Sequence, residues 1–155
     1  MKKNKKIVWI TGASSGIGAA LAKIYADRGE KLILSSRRVD ALERVKSECQ
    51  NPENIKILPI DLSDFDAAPA GVQKAFDFFG RIDVLINNAG VGSAAINRPK
   101  VADATNDQWQ TLLAVNVWGP IYLCRRLIPV LRNADRSDII MISSIAAQMM
   151  SPGYG

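Results

Sequence analysis

The stretch Thr11-Gly12-Ala13-Ser14-Ser15-Gly16-Ile17-Gly18 is built to hold a phosphate. The apolar run Ile7-Val8-Trp9-Ile10 before it reads as a buried strand, and Ala19 to Tyr25 after it reads as a helix. Glycines let the backbone turn tightly and come close to a ligand. The free N–H groups and positive dipole end of the following helix favour an anion. The spacing Gly-x-x-x-Gly-x-Gly differs from the common dinucleotide fingerprint Gly-x-Gly-x-x-Gly, and no Gly-Lys-Ser/Thr follows to make a Walker A loop. Taken alone, the loop competes with a plain surface turn of small residues.

Arg37 sharpens the choice. In sheets that bind NAD, an acid near the end of the second strand, about 20 residues after the glycine loop, holds the ribose hydroxyls. Here that place reads Ser35-Ser36-Arg37-Arg38, with no carboxylate before Asp40. A guanidinium makes two charge-assisted bonds to a phosphate. Arg37, and after it Arg38, are therefore expected to take the 2′-phosphate of NADP in preference to NAD. A solvated arginine pair at a strand end is the bland alternative.

Four further places carry chemistry. Asp61, followed by Leu62, ends a third apolar run, where it either accepts a bond from an adenine amino group or caps the next helix. Asn87-Asn88-Ala89-Gly90 leaves a fourth run: small residues let the chain pass close to a flat ligand, and asparagines tie strand ends together. At Asn116, Pro120 has no N–H to offer the carbonyl four residues before it, so a continuing helix bends and leaves the Asn116 carbonyl free for water. Pro129 does the same to Arg125, and a plain break at Gly119-Pro120 is the alternative. Ser144 follows a fifth apolar run. The chain has no histidine, so a serine there suits a hydrogen-bond donor to a substrate oxygen better than a nucleophile. Ser143 is its rival, since alternation puts only one of the two on a given face.

The elements that must position these residues follow from periodicity. Strands are expected at Ile7–Ile10, Lys31–Ser36, Ile55–Ile60, Ile82–Ile86 and Ile139–Ile142. Val39, Leu42, Val45 and Cys49 mark one helix face, and Val72, Phe76 and Phe79 another. A long helical segment runs from about Asn106 to Arg132 after a loop over Val91–Ala104. Strands alternating with helices give an α/β fold, a Rossmann-type doubly wound parallel sheet of order 3-2-1-4-5. Ligands bind at the carboxyl ends of such strands, beside the first. The unusual residues fall where the strands end.

Composition narrows the function. The 155 residues make one domain, large enough for a proper core. The absence of histidine removes Ser-His hydrolysis and His-ligated metals. Cys49 and Cys124 match no metal or redox spacing and read as reduced cysteines of a cytoplasmic protein. Of the net charge of +5, Lys2, Lys3, Lys5 and Lys6 supply much at a terminus expected to fray. Basic residues without interleaved aromatics argue against nucleic acid, and no run is long enough for a signal h-region or a membrane span. A methyltransferase-like sheet is disfavoured by Arg37, because its ligand has ribose hydroxyls and no phosphate at that place.

Taken together, these stretches resemble the short-chain dehydrogenase/reductase family. Thr11-Gly12-x-x-x-Gly16-x-Gly18, Asp61, Asn87-Asn88-Ala89-Gly90, Asn116 and Ser144 match its successive motifs in order, and Arg37 matches the position used by NADP-preferring members. The resemblance covers essentially the whole chain. It implies hydride transfer between a nicotinamide and a carbonyl or alcohol carbon of a small molecule. Ser144 would polarise the carbonyl and Asn116 would hold a water in the proton relay. The cofactor would lie against Gly12, Ser14, Ser15, Gly16, Ile17, Gly18, Arg37, Arg38, Asp61, Leu62, Asn88, Ala89 and Gly90. The family often pairs through its long helix, which points to Trp118, Tyr122 and Arg126 as a possible homo-oligomer surface. One motif departs. The family's acid/base tyrosine stands in Tyr-x-x-x-Lys about a dozen residues past the serine, whereas Tyr154 is followed only by Gly155. The expectation is therefore a domain over 1–155 that stops short of the catalytic pair, incomplete at the carboxy-terminal side, inactive alone and poorly soluble. A non-catalytic NADP-binding module is the alternative.

Overall fold

The computed structural model describes residues 5–97, 100–133, 136–145 and 148; Tyr154 lies outside them. In chain order come β1 (Ile7–Thr11), α1 (Gly16–Asp27), β2 (Lys31–Ser35), α2 (Val39–Ser47), β3 (Ile55–Ile57), α3 (Ala68–Phe79), β4 (Val84–Asn87), α4 (Asn106–Leu113), α5 (Gly119–Leu131) and β5 (Asp138–Met141). The strands form one sheet of order β3-β2-β1-β4-β5. All four pairings are parallel. This is the order expected from the sequence, with β1 at the centre and the break in winding direction between β1 and β4.

Alternation along the strands divides the core into two layers. Val8, Ile10, Leu32, Leu34, Val84 and Ile86 face one way, where Ala22 and Ala26 of α1 and Leu42 and Val45 of α2 cover them. Ile7, Trp9, Ile33 and Leu85 face the other, against Val72 and Ala75 of α3 and Leu123 and Leu127 of α5. Every residue of β1 is buried, as expected for a central parallel strand covered on both sides. Each fully buried Leu or Ile contributes about 1.5–3 kcal/mol. Trp9 is completely buried, and its indole N–H donates to the Ser35 hydroxyl at 2.8 Å. At the other end of the sheet, the buried Asp83 carboxylate accepts the Ile7 N–H at 2.7 Å and pairs with Arg81.

Local chemistry accounts for the differences from the sequence expectations. β3 is regular only over Ile55–Ile57, because Pro59 has no N–H for the ladder. Leu58 and Ile60 nonetheless donate to the carbonyls of Leu34 and Ser36, so the strand's path continues to Asp61. Val39 belongs to no core face: it opens α2 and is exposed, and Ala41 joins Leu42 and Val45 inside. The long helical segment does not break at Gly119-Pro120. It widens into a π turn over Ala114–Trp118, closed by the Gly119 N–H on the Ala114 carbonyl. A π turn interrupting an α-helix is uncommon and often marks a functional place.

Among the described residues, β5 is the outermost strand, next to β4. Ile139, Ile140, Met141 and Ile142 are 37–55% exposed. An exposed apolar edge is a template for association. Asn87 braces it: its backbone carbonyl accepts the Ile142 N–H at 2.9 Å, and its amide nitrogen lies 3.2 Å from the Met141 sulfur and 3.3 Å from that of Cys124. Burial pushes the thiols of both Cys49 and Cys124 up from the ordinary cysteine range, so they are poor nucleophiles. Neither is in a disulfide.

Candidate functional site

The carboxyl ends of β1, β2, β3 and β4 enclose a cavity of about 470 Å³. Its floor is the turn from β1 into α1. Gly12 and Gly16 both have positive φ, 65° and 54°. At Gly12 there is also no room for a side chain, because a Cβ would lie 2.7 Å from the Ala89 Cα. Gly18 is pressed against the same wall: its Cβ would meet the Gly12 carbonyl and stand 2.6 Å from the Asn88 amide nitrogen. Ser15 opens α1 without a side-chain cap, and no acid sits in the first turn. The N–H groups there stay available to an anion.

Thr11 and Asn88 join the two sides of the cleft. The buried Thr11 hydroxyl donates to the Ile86 carbonyl at 3.3 Å and accepts the N–H groups of Asn88 and Ala89, each at 3.1 Å. In return the Asn88 amide donates to the carbonyls of Thr11 and Gly12 at 3.0 and 3.2 Å. Thr11→Val keeps the shape and orphans two N–H groups. It should lower stability by about 1–3 kcal/mol, read as a shift of the urea midpoint, with weaker nucleotide binding alongside.

The second strand end brings cations. Arg37 and Arg38 both line the cavity. Arg38 reaches back to the glycine-rich loop, its guanidinium 3.4 Å from the Ser14 hydroxyl. Arg38 thus stands in the site as fully as Arg37. Asp61 and Leu62 form the facing wall. The Asp61 carboxylate accepts the Ser63 N–H at 2.9 Å and the Ser63 hydroxyl at 2.7 Å, both on the same oxygen. It makes this local turn and does not cap α3, which begins at Ala68.

Burial raises the Asp61 pKa, but the Ser63 bonds and the Arg37 charge together outweigh it, and the carboxyl lies below its ordinary value of 3.8. A depressed carboxyl adds stability above its unfolded pKa and loses it as pH falls through the lower folded value. Asp61→Asn should therefore lower the urea midpoint slightly at neutral pH and flatten its fall in acid, where the two curves should converge. An unaltered acid limb would show that Asp61 carries no such linkage.

Of the residues expected at a cofactor, Gly12, Ser14, Ser15, Ile17, Arg37, Arg38, Asp61, Leu62, Asn88, Ala89 and Gly90 line the cavity. Gly16 and Gly18 shape the turn and are not on its wall. The cavity also takes in Thr11, Ser35, Ser36, Ile60, Val91 and Val115. Asn116 and Ser144 are outside it. Asn116 meets it indirectly, its amide closing a pair of 2.8 Å bonds on the backbone N–H and carbonyl of Val91. Ser143 and Ser144 follow β5, both exposed, past the carboxyl end of the sheet. Among the described residues there is no cluster of three metal-ligating side chains and no helix long and apolar enough to cross a membrane.

A glycine-rich turn at the switch point of a parallel 3-2-1-4-5 sheet is the arrangement of the Rossmann-type α/β fold. Within that fold, the family model for short chain dehydrogenases matches residues 6–155, and the chain belongs to that family. It is 35% identical over 151 residues to human Dehydrogenase/reductase SDR family member 7, covering 94% of this chain and 43% of that protein. It is 36% identical over 146 residues to the NADP-dependent 3-hydroxy acid dehydrogenase of Schizosaccharomyces pombe, covering 92% of this chain and 55% of that one. A metagenomic short-chain oxidoreductase solved in complex with NADP superposes with a TM-score of 0.84 at 34% identity, over 96% of this chain and 67% of that one. The chain spans about half the length of the curated relatives it matches, for example 42% of an 11-beta-hydroxysteroid dehydrogenase A from Sesamum indicum.

Proposed function

We propose that this chain carries the cofactor-binding part of an NADP-dependent oxidoreductase that moves hydride between a nicotinamide and a carbonyl or alcohol carbon of a small molecule. One observation carries the proposal: the cavity combines an uncapped helix start with two guanidiniums at the second strand end, where the segment Ser35–Arg38 carries no carboxylate of its own. At Gly12 the backbone passes so close to Ala89 that no side chain fits between, which brings the β1 and β4 sides of the cleft together. The α1 turn would hold the pyrophosphate. Arg37 and Arg38 would hold the 2′-phosphate, and Asp61 and Leu62 the adenine. When bound, the cofactor supplies or accepts the hydride. Asn116 holds the Val91 segment of the wall and, with a water, would pass a proton. Ser144 would donate to the substrate oxygen. An NADP-dependent relative and an NADP-bound structural neighbour support the choice of nucleotide.

The reading extends to a domain over 1–155, working in the cytoplasm with its cysteines as thiols. A homo-oligomer would draw on Trp118 and Arg126, both exposed, whereas the Tyr122 ring is engaged by Phe65. A second reading is a non-catalytic module whose cleft holds NADP without turnover. Two measurements separate the possibilities: calorimetric titration with NADP+ and NAD+, and NADPH oxidation with a panel of small carbonyl compounds. Selective NADP+ binding with turnover supports the enzyme, and selective binding without turnover the module. Equal or absent binding of the two nucleotides would defeat the assignment of the cleft.

A further inference from the structure

The π turn has one face on the cleft and the other on solvent. On the inside, Val115 lines the cavity and Asn116 is clamped to Val91, also a lining residue. On the outside, Val117 and Trp118 are 39% and 48% exposed. A second connection reaches the end of the turn from the opposite cleft wall. Gly119 is seated so closely on Leu62 that a Cβ there would lie 2.8 Å from both the Leu62 Cβ and its carbonyl oxygen. Three residues past Leu62, Phe65 stacks on Tyr122 of α5, with ring centroids 4.8 Å apart and planes 14° from parallel. The turn is therefore gripped from both walls of the cleft by segments that would touch a bound nucleotide.

A π turn holds one residue more than the regular helix it interrupts. In an α register the Gly119 N–H would pass from the Ala114 carbonyl to the Val115 carbonyl. An element with two discrete arrangements is what coupling between separated sites requires. We propose that the Ala114–Trp118 π turn links the cofactor cleft to the outer face of α4 and α5, so that filling the cleft resets the surroundings of Trp118. By linkage, whatever fixes that outer face changes cofactor affinity by the same factor. The coupling rests on the NADP reading of the cleft.

Fluorine NMR of the chain labelled with fluorotryptophan tests this. Trp118→Phe and Trp109→Phe identify the resonances, and calorimetry on the same samples reports binding. The expected result is a Trp118 resonance that titrates with NADP+ at the calorimetric Kd, and a smaller response in Phe65→Leu although NADP+ still binds. Calorimetric binding with an unmoved Trp118 resonance would overturn the coupling and leave the cleft reading intact. An undiminished Trp118 response in Phe65→Leu would overturn the stacked rings as its carrier. No heat and no shift from a folded chain would overturn the cleft reading and the coupling with it.

Discussion

Replacing Arg37 with alanine should weaken NADP+ binding by about 10- to 100-fold, the loss of one charge-assisted contact to a phosphate. NAD+ affinity should stay within about threefold, because NAD+ has no 2′-phosphate for the guanidinium to hold. The selectivity is the test, since a variant that merely loosens the fold weakens both nucleotides together. Arg38 leans on Ser14 and would still offer one cation, so Arg37→Ala should retain residual preference and the double variant should lose it. Arg37 also helps hold the Asp61 carboxyl low. Its removal should therefore let Asp61 titrate nearer its ordinary range. The titrations belong at one ionic strength, because exposed charges are screened over roughly a Debye length of 10 Å at 0.1 M salt. An equal loss for both nucleotides would remove Arg37 from the specificity site.

Gly18→Ala should destabilise the chain by about 3 kcal/mol or more, a large effect for one methyl group. The added carbon would collide with the Gly12 carbonyl, lie 2.6 Å from the Asn88 amide nitrogen and 2.9 Å from the Ala13 Cα. None of these can yield easily. Two belong to the backbone, and the Asn88 amide is already committed to the carbonyls of Thr11 and Gly12. Gly16→Ala is the control. It meets nothing within 4 Å and suffers only from its φ of 54°, at a cost of about 1–2 kcal/mol. Urea unfolding of both variants checks the contrast. Similar midpoints would mean that the α1 turn and the Asn88 loop are not packed as described.

The sheet order and the glycine-rich turn from β1 into α1 were legible in the sequence because each rests on local signals: glycine spacing, apolar runs and residues set at strand ends. The limits of β3 were less so, since Pro59 stops the regular ladder while Leu58 and Ile60 still bond to β2. At Asn116 the sequence pointed to a carbonyl released by Pro120. The structure adds a side-chain clamp on Val91, 25 residues away, which no local periodicity reports. The same limit applies to Ser35, Ser36, Ile60, Val91 and Val115. They reach the cavity only because distant strands are brought side by side. Thr11 stood in the glycine motif, but the two N–H groups its hydroxyl accepts lie beyond residue 87. Val39 shows the opposite failure: the spacing was helical, but the first position of α2 turns outward.

The bonds between Thr11 and the Asn88 loop also set an order of assembly. β1 meets β2 across a short connection, Ile7 opposite Lys31. The Asn88 amide, by contrast, reaches Gly12 across 76 residues. Contacts so far apart in the chain form slowly, because the intervening segment must be closed before they give any return. On a ribosome the glycine-rich turn emerges long before its opposite wall exists. A nascent chain that has displayed β1 to β3 has its arginines in place and no cleft for them to serve. The cleft is thus completed late in synthesis, and a ligand that needs both of its walls can favour the finished domain without holding its early intermediates.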